Sequence, residues 1–160
     1  MGIFLDVTEG NIFEAFHNET LSSGATTNLQ LKVPSGITIK LISSIITSTD
    51  YAIRAKIVEN PTVTDGSTSI DTFDSNFQTA NSKSFNFYND PTSISGGTTK
   101  RNILIPATTS GPGGSIIAPF TIEKRNRIIF AENEDYLFQF VNQDGSNPTD
   151  IDCQFVFQEL

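Results

Sequence analysis

RIIFA (Arg127–Ala131), YLFQFVN (Tyr136–Asn142) and IDCQFVFQE (Ile151–Glu159) are short apolar runs close to one another in the chain. Glu132–Asp135 separates the first two, and QDGSNPTD (Gln143–Asp150) the last two. Runs rich in Ile, Val, Phe and Tyr, bounded by Asn, Asp, Gly and Pro, have the pattern of antiparallel strands. In the last run Ile151, Cys153, Phe155 and Phe157 fall on one face by alternation.

Upstream, the same alternation recurs. Leu29, Leu31 and Val33 alternate with Gln30 and Lys32, and a Pro34-Ser35-Gly36 turn follows. Ile37, Ile39 and Leu41 alternate with Thr38 and Lys40. Ile42–Thr47 is more continuously apolar, which predicts a strand covered on both sides or crossing between sheets. Tyr51, Ile53, Ala55 and Ile57 share a face, opposite Arg54 and Lys56. Asn60–Thr68 reads as a turn and loop, tightest at Asp65-Gly66. Asp71–Phe87 reads as short strand pieces and a structured loop, with Phe73, Phe77, Phe85 and Phe87 among polar residues. Thr98–Ile105 is a further strand, and the glycine-rich Thr108–Ser115 a loop tip. No segment has the length and 3.6-residue period of an amphipathic helix. Roughly seven to nine short strands predict an all-β antiparallel sandwich, in jelly-roll form.

Residues 1–25 read as an N-terminal arm and 26–160 as the sandwich domain. Ile12, Phe13 and Phe16 form an apolar cluster in the arm, either one helical turn or an extended piece packed on the body. An arm with such a patch is a natural segment to bury against a neighbouring subunit. Burial of each large side chain would contribute about 1.5–3 kcal/mol.

Composition narrows the partners. At 160 residues the chain fits one domain with a real core. It carries thirteen Phe and no Trp, and only 18% of its residues are charged. A formal charge of −8 points away from nucleic acid and anionic membrane, and suits a basic partner. Met1–Val7 is interrupted by Asp6 and does not read as a signal peptide. The Ile37–Ile46 run, broken by Lys40, Ser43 and Ser44, is too short and polar to span a bilayer.

Chemistry is sparse. Cys153 is the only cysteine, so no intrachain disulfide or thiolate cluster forms, and folding in a reducing cytoplasm is compatible. Its place on an apolar face predicts a small core residue. His17, the only histidine, is distant in sequence. Asp71/Asp74 and Asp150/Asp152 are close carboxylate pairs of the kind that bind Ca²⁺ or hydrolyse glycosides, but no ligand-rich loop accompanies them. GPGGS (Gly111–Ser115) lacks the Lys and spacing of a phosphate loop. Asn18-Glu19-Thr20 is an isolated glycosylation tripeptide. Lys124-Arg125-Asn126-Arg127, and the smaller Lys100-Arg101, read as solvated or edge-strand charge. The residues predict no catalytic centre, no cofactor and no metal.

The order of turns resembles a family of small virion structural proteins of tailed bacteriophages. The residues that carry the likeness are Val58-Glu59-Asn60-Pro61-Thr62-Val63-Thr64-Asp65-Gly66-Ser67 and the stretch Asp74–Asn81. A second turn, Asp90-Pro91-Thr92 through Gly96-Gly97-Thr98, follows. Phe130–Asn142 and the closing Phe157-Gln158-Glu159 complete the match. Basic residues usual in the Asn-rich stretch are missing from Asp74–Asn81. The resemblance implies a jelly-roll-like capsid decoration or head-associated protein on the virion surface, made in the host cytoplasm. It implies a homo-oligomer, a trimer, that binds the major capsid protein or another virion protein, with Ile12, Phe13 and Phe16 of the arm as the subunit or capsid contact. Two alternatives remain open at this point. One is a fibre or attachment module that binds host glycan, with Tyr51, Tyr88 or Tyr136 stacking on sugar. The other is a glycosidase, which would need Asp71, Asp74, Asp150 or Asp152 facing each other across a cleft.

Overall fold

A computed structural model describes residues 12–74, 82–108, 120–121 and 128–160. Residues 1–11 of the expected arm, Phe77 with the rest of 75–81, the Gly111–Ser115 loop and the Lys124–Arg127 cluster lie outside the described residues.

The described residues are all β, without a helix. The long strands are β1 (Ile12–Leu21), β2 (Thr26–Val33), β3 (Ile39–Ser48) and β4 (Ile53–Glu59). Short strands follow: β5 (Thr62–Thr64), β6 (Thr68–Ser69), β7 (Thr72–Asp74), β8 (Asn86–Asn89) and β9 (Thr92–Ser95). The chain continues through β10 (Thr98–Ile105), β11 (Phe120–Thr121), β12 (Ile128–Phe130), β13 (Glu134–Asn142) and β14 (Thr149–Glu159). One sheet has the order β11-β3-β14-β1-β7, with β12 also on β3; the other has the order β10-β4-β13-β2-β8-β6. All pairings are antiparallel, and the two sheets pack as a sandwich. From β1 to β4 each connection switches sheets, and so does each from β12 to β14. This alternation is consistent with a jelly roll.

The core is built from the dry faces that alternation marks out. Leu29, Leu31 and Val33 of β2, Ile53, Ala55 and Ile57 of β4, and Ile151, Cys153, Phe155 and Phe157 of β14 are all buried in one cluster. Phenylalanine fills its centre. Phe87 and Phe138 from one sheet meet Phe155 from the other, with ring centroids 5.6 Å and 5.0 Å away. Phe85 bridges Phe13 and Phe157 at 5.7 Å and 5.5 Å. Most of these pairs are edge-on, the arrangement the ring quadrupole favours by about 0.5–1.5 kcal/mol beyond area burial. Phe brings no polar atom into the core, so these rings need no hydrogen-bond partner.

Within the described residues β1 runs between β14 and β7 as an interior strand, so Ile12–Leu21 is part of the sandwich. Ile12–Phe16 is extended, paired from Ile12↔Gln158 to Phe16↔Gln154. Phe13 lies in the core, Ile12 is buried, and only Phe16 stays on the surface. The Ile42–Thr47 run is not covered on both faces. The β3–β14 register shifts at Val156/Phe157, a bulge that inverts the phase of β3. Ile39 and Leu41 point inward before it, Ser44, Ile46 and Ser48 after it, and Ile45 is left exposed.

The insertion between β4 and β10 closes one side of the sandwich. Its β7 extends the first sheet beside β1, while β8 and β6 extend the second beside β2. Ile70, Phe85 and Phe87 from this insertion enter the core. The two Pro-Thr turns of the sequence start β5 and β9, which pair with each other. Asn60 and Asp90, each just before a buried Pro, have φ of 52° and 53°. Asn and Asp tolerate this left-handed region better than other side chains.

Gln30 fastens the insertion to the second sheet. It points to the outer side of β2 yet is 0% exposed. Its amide donates to Asp65 Oδ1 at 2.9 Å and Asp135 Oδ1 at 3.3 Å, and its oxygen accepts from the Gly66 amide at 3.3 Å. Lys32 pairs with Asp65 at 2.6 Å. The Lys32 ammonium first, and the Gln30 amide second, hold the Asp65 carboxyl below its ordinary range.

Candidate functional site

The outer face of the β7–β1–β14–β3 sheet carries the candidate site. Cross-strand register places Phe16 of β1, Gln154 of β14 and Ile45 of β3 in one row. The next row is Asn18, Asp152 and Thr47. These rows line a shallow groove of about 260 Å³, with His17 and Cys153 also on its lining. Phe73 of β7 lies opposite Glu14, and its ring centroid is 6.2 Å from that of Phe16. Phe16 is 50% and Phe73 59% exposed, so this face presents a paired aromatic patch to water.

Acidic side chains border the patch. Asp150 and Asp152 occupy alternate outward positions of β14 and are exposed. Asp150 accepts a hydrogen bond from the Thr20 hydroxyl at 2.5 Å. Glu14 accepts from the Gln154 amide at 3.4 Å. Lys40, on the same face, donates to Gln158 at 3.5 Å.

The structure brings the two lone nucleophile-class residues together. His17 sits directly opposite Cys153 in the β1–β14 ladder, although the two are distant in sequence. His17 Nε2 lies 3.3 Å from Glu19 Oε2. The Cys153 thiol is 3% exposed. Burial pushes its pKa far up, and the nearby Asp152 and Glu19 charges push it further. A thiol held protonated in this way is a poor nucleophile at neutral pH.

The carboxylate pairs are not gathered into a cleft. Asp74 lies opposite Phe13 and Asp152 opposite Asn18, five residues apart on β1. At about 3.4 Å per residue that is about 17 Å along the strand, beyond the span of about 5–9.5 Å used in glycoside hydrolysis. Asp71 is exposed just before β7. Among the described residues, no group of three His, Cys, Asp or Glu is placed to hold a metal ion.

The tyrosines are dispersed. Tyr51 is in the turn between β3 and β4, and Tyr88 is on β8 opposite Gln30. Tyr136 is buried, and its hydroxyl accepts from the Ala131 amide at 2.9 Å. Of the contact residues expected in the arm, only Phe16 belongs to the site. Phe73, Ile45, Asn18 and Gln154 join it through register.

The outer face of the other sheet differs in charge. Its uncovered part is formed by β10, β4 and β13. Leu104, 53% exposed, pairs with Arg54; Asn102 pairs with Lys56. Arg54 donates to Asn102 Oδ1 at 3.1 Å. Val141 and Gln139 continue these rows on β13. This strip is basic, against the acidic border of the opposite face.

In comparisons with known proteins, the chain matches no family model, no curated protein and no solved structure.

Proposed function

We propose that this protein is a virion structural protein of a tailed bacteriophage, a capsid decoration or head-associated protein that acts as a homo-oligomer. One observation supports it most: among the described residues, the sandwich carries two sheet faces whose charged groups are of opposite sign, each with exposed apolar side chains. Such faces suit association with other protein surfaces more than turnover of a substrate. The turn order that resembles the phage family supplies the virion context. The partner is the major capsid protein or another virion protein, and the place of action is the capsid surface.

The test is co-sedimentation of the purified chain with heads that lack it. Saturable binding with a fixed stoichiometry per capsomer is expected. A chain that stays in the supernatant at every concentration overturns the proposal.

Binding of host glycan is the second reading. It draws on the exposed Phe16–Phe73 pair beside the Asn18, Asp152 and Gln154 side chains, since sugars stack on rings and bond to amides and carboxylates. Glycan capture by the purified chain, lost in Phe16→Ser, would favour this reading over the first.

A further inference from the structure

We propose that the outer face of the β7–β1–β14–β3 sheet seats the β4–β10 strip of a second copy of this chain. The inference rests on the homo-oligomer part of the function proposed above. Phe16 and Ile45 flank Gln154 across the groove, Asp152 lines it, and Asp150 stands at the next outward position of β14. On the opposite side of the sandwich Leu104 projects at 53% exposure, next to Arg54, with Lys56 at the next outward position of β4. Alternate positions on a strand are about 7 Å apart, so the two cations and the two carboxylates share one spacing. Leu104 is of a size to enter the groove while Arg54 and Lys56 meet Asp150 and Asp152.

Charge selects this occupant over the simpler symmetric one. Among the described residues this face carries Glu14, Asp150 and Asp152 against one cation, Lys40, so a two-fold contact of the face with itself gathers an excess of like charge, which disfavours association. A contact between the two different faces pairs opposite charges instead. Such a contact is heterologous, and it leaves one groove and one strip free on the outer copies. The two patches lie on opposite faces of the sandwich. Copies therefore add in a continuing row or a wide ring.

Sedimentation and light scattering on the purified full chain test this. The average mass is expected to rise with protein concentration. It is expected to fall as salt is raised from about 0.1 M to about 1 M, because exposed charges are screened. Asp150→Lys with Asp152→Lys is expected to weaken association by at least about tenfold, and Arg54→Glu with Lys56→Glu by a similar factor. An equimolar mixture of the two variants is expected to recover it, since each reversed face then finds its complement on the other. Thermal melting checks that each variant is folded. If a reversal unfolds the chain, Asp152→Asn and Lys56→Gln replace it, with loss of the salt dependence as the readout. A wild-type chain that stays monomeric, variants that associate like wild type, or a mixture that does not recover would each overturn the inference. Head binding is scored separately, so a chain that self-associates but ignores heads overturns the virion proposal alone.

Discussion

Cys153 and His17 are cross-strand neighbours, yet proximity alone does not make a reactive pair. Reactivity needs the thiolate, and burial among Ile151, Phe155 and the rest of the core penalises that charged form. The acidic neighbours Asp152 and Glu19 act in the same direction. The folded protein is therefore expected to react with a thiol reagent at neutral pH far more slowly than the denatured chain, by at least about tenfold. Stoichiometric labelling of the native protein within the mixing time would contradict this. The placement of Cys153 on a dry face was legible from the alternation of Ile151–Phe157. Its position opposite His17 was not, because register between β1 and β14 depends on pairing across nearly the whole chain.

At the level of elements, the legible strands are those with one wet and one dry face. In β2, β4 and β14 the outward positions hold mainly Gln, Lys, Arg or Asp, so the period of two stands out. In β1 both faces carry apolar residues. Phe13 and Ala15 point inward while Ile12 and Phe16 pair with outward Gln158 and Gln154, which hides the period that would separate strand from helix. In β3 the bulge shifts the phase midway, and a continuous apolar run results. Phe73 could not be placed because β7 is three residues long, too short for a pattern. The Asp65-Gly66 turn was legible as a turn, but its packing was not. A Cβ at Gly66 would overlap the Asn89 carbonyl oxygen and crowd Tyr88 Cβ at 2.9 Å, whereas one at Gly145 meets nothing within 4 Å. Gly66→Ala is expected to cost about 1–3 kcal/mol in urea unfolding, since backbone must move to make room. Gly145→Ala is expected to change stability by less than about 0.5 kcal/mol. Equal effects of the two would show that the Asp65-Gly66 turn is not packed against β8.

The whole molecule is assembled from contacts distant in sequence. β1 closes against β14, β2 against β13, and β3 against β14, so little of either sheet forms before the chain has found its far partners. Loop closure has to come first, and all-β sandwiches of this kind fold in milliseconds to seconds. Refolding followed by stopped flow is expected in that range, and a microsecond phase that recovers the full signal would argue against the strand order. The β1–β14 ladder also has a mechanical meaning. It runs in register from Ile12↔Gln158 to Leu21↔Thr149. Force applied at Ile12 and Gln158 would load that seam from one end, and its bonds would part a pair at a time, as a zip does. Force applied at Leu21 and Gln158 would run along the seam and strain all of its bonds together. Where the molecule is tethered thus decides whether it gives way early or bears load: tie points at one end make a fuse, tie points at opposite ends a strut.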